Sequence, residues 1–464
     1  MREERHEPRG LFTRMEMILA TSPDSRETAG MNRRLVVSCL IAAIAVMAIA
    51  VGWMVKEMQG PELPAMDDDL AWRPKKASRV TSPGSVAAVA TAPTKTESAA
   101  DRDLAAELLE DLQHPEAVPG EALLSFKNEA ALEAFKARAA QQGLLVISID
   151  PKLLTARVRY KNAQDLQREV AANAQDYTHA GANWTARIPG LPQQPSKDTA
   201  NAGGAQPFQS QGLDLIGAPA NRNGWGAGVK VAVLDSGVVA HPSLQGTAIT
   251  HIDLVNDGQE FHGHGTAMTS LITGSDAKVS GVAPAAEILD IRVADPQGGS
   301  NTSLLSSGIM RAVDAGAKVI NISLGSTQGS PVLDQAVAYA ISRGAVIIAA
   351  AGNEQANMLS YPAALPGVVS VGAVDASGKQ AWFSNSGQGL SLVAPGVGIV
   401  SAYSGNKLVI GSGTSQATAI VSGVAAYLAG RGYQPANIPT VLIRSARPTG
   451  AATTAVGAGI VRIP

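Results

Sequence analysis

The C-terminal half of the chain, from about residue 211, predicts an α/β fold with a doubly wound parallel sheet. Short apolar runs suited to buried strands recur along this half, and helix-like stretches such as 303–315 and 332–342 lie between several of them. Apolar runs separated by helices are typical of parallel strands that are covered on both faces. The runs are residues 229–234, 288–293, 319–324, 345–350 and 368–374.

The composition permits sizeable cores and excludes some classes of site. Of the 464 residues, 45% are hydrophobic and 16% are charged, and this length suits two or three domains. The net charge of −2 includes no basic excess, so no nucleic-acid partner is expected. The single cysteine, Cys39, excludes a disulfide within this sequence and any Cys-x-x-Cys zinc site.

The N-terminal region predicts a helix in contact with a membrane. Residues 1–34 are polar, whereas residues 35–55 carry no charge and can span a bilayer as a helix. Arg33 and Arg34 directly precede that run, so the positive-inside rule predicts a cytoplasmic segment 1–34 and places the rest of the chain outside. A cleaved signal peptide with residues 35–50 as its apolar part remains an alternative, because Ala48-Ile-Ala50 fits its cleavage site.

A small domain is predicted between two linkers. Residues 56–115 are rich in Pro, Ala, Ser, Thr and charge, and residues 190–210 are polar with Gly and Pro, so both are interpreted as linkers. Residues 116–189 carry strand and helix patterns in the order β-α-β-β-α-β. In the first helix Asn128 is a suitable N-cap. This order predicts an α+β domain of the split-βαβ type.

Four polar residues of the C-terminal half stand in settings suited to acyl transfer. Asp235 ends an apolar run, His264 and Ser415 begin small-residue helices, and Asn353 follows Ala-Gly at another strand end. Acyl transfer needs a nucleophile, a base, a carboxylate that orients the base and a donor for the oxyanion. Since strand ends and helix starts of a parallel sheet share one edge, these residues are expected at a common site.

Each of these residues also has an ordinary structural explanation. Ser415 alone is a plain helix cap, and Asp235 and Asn353 alone are turn residues. His262 competes with His264 for the role of base, and together they form a His-x-His pair that could bind a metal. No cysteine lies nearby, and His264 directly precedes Gly-Thr at a helix start, so His264 is the preferred base and no metal is expected.

Taken together, in the order Asp, His, Asn, Ser, the motifs resemble the subtilisin-like serine peptidases (subtilases, peptidase family S8) over about residues 211–464. The motifs are Asp235-Ser-Gly, Gly-His264-Gly-Thr, Ala-Gly-Asn353 and Gly-Thr-Ser415. The resemblance extends to Gly281-Val-Ala-Pro284, Phe383-Ser-Asn385 and Val393-Ala-Pro-Gly396. It implies a subtilisin-like fold and a serine endopeptidase with Ser415 as nucleophile, His264 as general base and acid, Asp235 as its orienting carboxylate and Asn353 as oxyanion donor.

The resemblance also implies partners. Polypeptide substrates would add a strand along Ser323, Leu324 and Gly325, and a side-chain pocket would be lined with Ala350, Ala351 and Gly352. Residues 116–189 resemble the family's inhibitor I9-like propeptide, an intramolecular inhibitor and folding chaperone that is removed by a cut, here expected within 190–210. The enzyme would then be a zymogen that is tethered to a membrane or exported.

Some residues depart from the family's pattern. Gln416 and Ala419 stand where the family usually has Met and Pro, and Ser243 stands where a calcium-binding Asp is frequent. The loop over 273–281 is short, so the family's strong calcium site is not predicted. Calcium stays open as a cofactor, and no other cofactor is expected. A catalytically inactive surface binding protein on the same scaffold is the alternative, against which the retention of all four polar site residues speaks.

Overall fold

The computed structural model describes residues 103–189, 205–208 and 211–464. The predicted N-terminal segment 1–34 and the predicted transmembrane or signal helix 35–55 lie outside the described residues, as does most of both linkers. Within the described part of the chain, no helix is both long and apolar enough to cross a bilayer.

Residues 103–187 form a small α+β unit. Its sheet is antiparallel with strand order β2-β3-β1-β4. One face of this sheet is covered by α2 and α3, through Leu132, Phe135, Leu166 and Val170. Asn128 begins α2 because its side chain accepts the N–H of Ala131 at 2.9 Å. The elements are α1 (Leu104–Gln113), β1 (Ala117–Phe126), α2 (Glu129–Ala139), β2 (Leu145–Asp150), β3 (Thr155–Arg159), α3 (Ala163–Ala172) and β4 (Tyr177–Arg187).

Helix α1 lies within residues 56–115, which the sequence predicts to be a linker. The predicted extent of this linker is therefore wrong at its C-terminal end. Asp103 caps this helix by accepting the N–H groups of Ala105 and Ala106. Ala105 and Leu108 are buried in the same apolar cluster as the rest of the small unit. Two buried residues one turn apart are enough to dock a short helix, so α1 belongs to the small unit.

The larger unit contains a seven-stranded parallel sheet with strand order β12-β11-β10-β9-β5-β7-β6. Strands β6 and β12 were not among the predicted runs. The elements are α4 (Gly212–Leu215), β5 (Lys230–Asp235), β6 (Ile249–Asp253), α5 (His264–Thr273), β7 (Glu287–Arg292), β8 (Gly299–Asn301), α6 (Thr302–Asp314), β9 (Val319–Ile322), α7 (Pro331–Ser342), β10 (Val346–Ala350), β11 (Val369–Val374), β12 (Leu392–Pro395), β13 (Ile399–Tyr403), β14 (Lys407–Gly411), α8 (Thr414–Gly430), α9 (Ile438–Ser445) and α10 (Thr453–Val456).

Helices cover both faces of this sheet, as the apolar runs predict. In β5, Val231 and Val233 belong to the apolar cluster that includes α5 and α8, whereas Ala232 and Leu234 belong to the cluster that includes α6 and α7. Successive side chains of a strand point to opposite faces, so a strand with both faces covered needs apolar residues at every position. The carboxyl ends of β5, β9 and β10 therefore meet at one edge, where α5 and α8 begin.

Candidate active site

Asp235 is the last residue of β5 and is fully buried. Its Oδ1 accepts the backbone N–H of Ser236 at 2.7 Å and lies 2.8 Å from Nδ1 of His264, and its Oδ2 lies 2.9 Å from the same nitrogen. A buried carboxylate is costly unless hydrogen bonds satisfy it. The imidazole therefore donates from Nδ1, which leaves Nε2 as the free acceptor.

His264 is the first residue of α5, and the helix start is packed closely against the turn after Asp235. A Cβ on Gly265 would lie 2.4 Å from the carbonyl oxygen of Gly237, so only glycine permits this approach. Ser236 Oγ reinforces the contact, since it accepts the N–H of Gly265 at 3.2 Å and donates to the carbonyl of His262 at 3.0 Å. The sequence places the Asp and His motifs far apart, and these glycines let them meet.

His262 has a different environment from His264. Its Nδ1 accepts the backbone N–H of His264 at 3.3 Å, and its Nε2 lies 3.2 Å from the hydroxyl of Tyr403. Burial lowers the pKa of His262 below its ordinary value, and the nearby His264 is the second cause of this decrease. Both effects favour the neutral ring. In the described residues no group of three His, Cys, Asp or Glu side chains is arranged to hold a metal ion.

Ser415 lies in the first turn of α8 and is almost fully buried. Its Oγ donates to the carbonyl oxygen of Ser323 at 3.1 Å. The expected hydrogen bond between Ser415 Oγ and Nε2 of His264 is not formed in the described structure. Asp235 and His264 thus form a hydrogen-bonded pair, and the hydroxyl of Ser415 is bound separately.

The side chain of Asn353 is held in one orientation by Thr414. Its Oδ1 accepts both the N–H and the Oγ1 hydroxyl of Thr414, each at 2.9 Å. A Cβ built on Gly413 would lie 3.0 Å from Nδ2 of Asn353, so the donor end of the amide lies beside the residue two before Ser415. These hydrogen bonds fix the side chain of Asn353 to the first turn of α8.

A cavity of about 200 Å³ lies beside this site. Of the six predicted substrate-binding residues, Leu324, Gly325, Ala350 and Gly352 line it. The side chain of Ala351 packs into an apolar cluster with Leu359 and Val374, and its part in substrate binding stays a prediction. Ser323 does not line the cavity, since its hydroxyl and carbonyl are bound to the start of α8.

The end of β4 continues into Ile188 and Pro189, and residues 187–189 form a tail. This tail lies in a groove between Gly298 and Gly325, beside the cavity. Arg187 and Gly325 exchange two backbone hydrogen bonds, of 2.9 and 3.1 Å, as an antiparallel pair. On its other side, β4 pairs antiparallel with β8, and Ile188 donates to the carbonyl of Gly298 at 2.9 Å. An extended chain therefore lies between two edges of the larger unit, with Arg187, Ile188 and Pro189 lining the cavity.

Several residues that shape the site were missed by the sequence analysis. Thr414 and Ser236 are neighbours of motif residues, so the motifs themselves contained the signal. Asp290 gave no signal: it is fully buried in β7, and its Oδ2 accepts the N–H of Val238 at 2.8 Å and bonds with His251 Nδ1 at 2.7 Å. Such long-range pairs depend on strand order, which the sequence pattern does not determine.

The family profile described as the subtilase family (Peptidase S8) matches residues 226–459. The chain belongs to the subtilase family. It is 41% identical over 221 residues to subtilisin Savinase of Lederbergia lenta, covering 46% of this chain and 82% of the relative. It is also 41% identical to the M-protease of Shouchella clausii over 221 residues, which are 46% of this chain and 58% of that protein.

A solved structure supports the fold of the subtilase chain. Fervidolysin from Fervidobacterium pennivorans, a keratinolytic enzyme related to subtilisin, superposes with a TM-score of 0.65 at 25% identity, covering 76% of this chain and 61% of the other. The subtilisin-like α/β fold with its parallel sheet is thus confirmed. At the level of family, the predicted class of serine-type endopeptidase is confirmed as well.

Proposed function

We propose that this subtilase hydrolyses peptide bonds of polypeptide substrates with Ser415 as nucleophile, and that it is made as a zymogen. The observation that carries the proposal is the hydrogen-bonded pair of Asp235 and His264 at the sheet edge where the helix of Ser415 begins. Nδ1 of His264 lies 2.8 and 2.9 Å from the two carboxylate oxygens of Asp235. A buried carboxylate that fixes the tautomer of an imidazole is the arrangement a general base requires.

In the proposed mechanism, Ser415 Oγ attacks the carbonyl carbon of the scissile bond while His264 Nε2 takes the hydroxyl proton. Asp235 stabilises the imidazolium that forms. The negative oxygen of the tetrahedral intermediate is bound by Asn353 Nδ2 and by the backbone N–H of Ser415. His264 then protonates the departing amine as the C–N bond breaks, and a water molecule, activated by His264, hydrolyses the acyl-enzyme.

Attack requires one change from the resting arrangement. The hydroxyl of Ser415 has to leave the carbonyl of Ser323 and turn towards Nε2 of His264, by rotation about the Cα–Cβ bond of Ser415. Staggered side-chain conformations of serine interconvert readily, so the cost is about that of one hydrogen bond, roughly 1 kcal/mol.

We further propose that the small unit is the intramolecular inhibitor of the larger one. Three contacts support this role: the pairing of β4 with β8, the pairing of Arg187 with Gly325, and the start of α6. There, Asn183 Oδ1 accepts the N–H of Ser303 at 3.1 Å, and Thr302 Oγ1 accepts the N–H of Trp184 at 3.1 Å. The likeness to fervidolysin covers more of the chain than residues 211–464 alone make up, in keeping with a shared arrangement.

Asn183 is itself held by the buried carboxylate of Glu121 in the small unit. Its Nδ2 donates to Glu121 Oε2 at 3.0 Å, and Glu121 is paired with Arg157 and Arg159 at 2.7 and 3.0 Å. The amide therefore reaches α6 in a fixed orientation and binds a backbone N–H that has no partner within its helix. Residues 190–210 would carry the cut that separates the units.

The proposed location is membrane-anchored through residues 35–55, with the peptidase unit outside the cytoplasm. Export with cleavage of residues 35–50 is the alternative within the same proposal. Mass spectrometry of the N-terminus of the uncut Ser415→Ala chain distinguishes them, since an anchored form retains the apolar run and an exported form begins after it.

The second candidate function, a catalytically inactive binding protein, is favoured by the position of Ser415 Oγ on Ser323 instead of His264. The test compares the full chain with its Ser415→Ala variant on an unfolded protein such as casein. New peptide termini formed by the wild type, and a Ser415→Ala chain that stays uncut in 190–210, are expected. Binding of casein without cleavage by either chain would favour the binding protein.

A further inference from the structure

The register of the tail in the groove places Pro189 opposite Ser323. Arg187 and Gly325 exchange both backbone hydrogen bonds, so they form a hydrogen-bonded pair of an antiparallel ladder. The next hydrogen-bonded pair of such a ladder lies two residues further along one strand and two residues back along the other. In this chain that pair is Pro189 and Ser323.

This pair is incomplete because proline has no backbone N–H. A residue with an N–H at position 189 would donate it to the carbonyl of Ser323, as Arg187 donates to the carbonyl of Gly325 at 2.9 Å. Instead, the carbonyl of Ser323 accepts the hydroxyl of Ser415 at 3.1 Å. The carbonyl that would accept an N–H from residue 189 thus accepts the hydroxyl of Ser415.

We propose that Pro189 is a positioning residue that keeps Ser415 in a resting state while the tail lies in the groove. By leaving the carbonyl of Ser323 free, Pro189 lets the hydroxyl of Ser415 donate there and turn away from His264. The tail then fills the groove and its cavity without being cut after residue 189. This inference rests on the proposed function of the small unit as an inhibitor of Ser415.

The surroundings of Pro189 fit a tail that is bound without being a good substrate. Pro189 lines the cavity together with Ala350 and Gly352, and Ile188, one residue before it, is anchored by its N–H to Gly298 at 2.9 Å. The backbone is therefore held on both sides up to position 188. The missing hydrogen bond falls at the residue opposite Ser323, whose carbonyl binds Ser415, and a donor there would help to align the following peptide bond.

The test follows self-cleavage of the full chain and locates each new terminus by mass spectrometry. In the wild type, self-inflicted cuts are expected further along residues 190–210 and not directly after residue 189. Pro189→Ala supplies an N–H to Ser323, so a new cut directly after residue 189 is expected, with a rate at least roughly tenfold above that of the wild type at this bond. Pro189→Gly, which also supplies an N–H, is expected to act in the same direction.

Ile188→Ala is the matched control, because it trims the neighbouring side chain of the tail without altering which residues carry an N–H. It is expected to loosen the tail and speed cleavage elsewhere in the linker, with no cut directly after residue 189. A cut after residue 189 in the wild type, or equal cutting there in Ile188→Ala and Pro189→Ala, would overturn the proposal.

The result also separates this inference from the proposed function. Pro189→Ala and Pro189→Gly chains that are cut elsewhere in a Ser415-dependent manner, but not after residue 189, overturn the role of Pro189 and leave the peptidase intact. The absence of any Ser415-dependent cleavage in all of these chains overturns both.

Discussion

Ser415 and Ser323 are joined twice. The hydroxyl of Ser415 donates to the carbonyl of Ser323 at 3.1 Å, and the hydroxyl of Ser323 donates to the carbonyl of Ser415 at 3.4 Å. Asn321, in β9, supports this contact by donating to Ser323 Oγ at 3.0 Å. The first turn of α8 is thereby tied to the segment after β9, and that segment determines where the hydroxyl of Ser415 lies.

Ser323→Ala removes the hydroxyl from this contact and leaves the carbonyl in place. Because Asn321 and Ser415 each lose a buried partner, the free energy of unfolding is expected to fall by about 1–2 kcal/mol. The measurement is urea unfolding in a Ser415→Ala background, which prevents self-digestion. Ser342→Ala, which removes a hydroxyl in an exposed hydrogen bond, is the control, expected to change stability by less than about 0.5 kcal/mol. Equal losses of unfolding free energy in Ser323→Ala and Ser342→Ala would contradict a stabilising role of this contact.

Asp235→Asn tests the pair of Asp235 and His264. The amide has an acceptor and a donor where the carboxylate has two acceptors, so the imidazole loses its fixed tautomer and the stabilisation of its charged form. On a peptide substrate, kcat is expected to fall by roughly 10⁴-fold with KM little changed. Asp276→Asn is the control, since the described hydrogen bonds of this side chain are to the N–H groups of Lys278 and Val279 in its own loop. A loss below about tenfold would contradict the assignment.

Thr414→Val tests whether Thr414 positions Asn353. The substitution keeps the shape and removes the hydroxyl that donates to Asn353 Oδ1, so the amide turns more freely and the oxyanion is bound less well. A fall of kcat by about tenfold at constant KM is expected. Thr418→Val removes a hydroxyl that binds the carbonyl of Thr414 within the same helix, at 2.7 Å, without touching Asn353. A change in KM for Thr414→Val, or equal losses of kcat in Thr414→Val and Thr418→Val, would show that Thr414 does not position Asn353 and has a structural role only.

His251 gives stability a dependence on pH. Its hydrogen bond to the buried carboxylate of Asp290 raises the pKa of His251 above its ordinary value of 6.5, against the opposing effect of burial and with Asp253 adding to the rise and Arg292 opposing it. A raised pKa in the folded state means that the contribution is full below the unfolded pKa and is lost as pH rises through the folded pKa. His251→Gln should therefore destabilise the chain more at about pH 5.5 than at about pH 9.

The measurement is urea unfolding of wild type and His251→Gln at both pH values, again in the Ser415→Ala background. His114→Gln serves as the control, because this histidine lies in the small unit, where its Nδ1 accepts the backbone N–H of Glu116 at 3.1 Å and its ring contacts Trp184 edge-on. A difference between wild type and His251→Gln that is the same at both pH values would contradict a charged pair.

The order of apolar runs and helices was enough to predict the parallel sheet, because a strand covered on both faces must be apolar at nearly every position. This pattern did not predict strand β6. The strand lies at the sheet edge and contains the polar residues Thr250 and His251, so it does not form an apolar run. Likewise α1 was assigned to a linker because only Ala105 and Leu108 of its ten residues are buried. Short or edge elements carry too few buried positions to produce a clear period.

In the candidate site, the four polar residues were found from their motifs and their order along the chain. The contact of Ser415 with Ser323 was not predictable in this way, since it depends on which residue of a neighbouring segment lies opposite the start of α8. The same is true of Pro189, whose partner is determined by the register of the tail in the groove. Motifs specify which groups take part, and packing determines which hydrogen bonds they make.

The most direct test of the account is covalent labelling of the full chain with a fluorophosphonate, with the modified residue mapped by mass spectrometry. We predict an adduct on Ser415 in the wild type after the linker has been cut, and none in Ser415→Ala or His264→Ala. A correctly folded, cut wild-type chain without an adduct on Ser415, or with equal labelling in His264→Ala, would contradict the joint action of these residues.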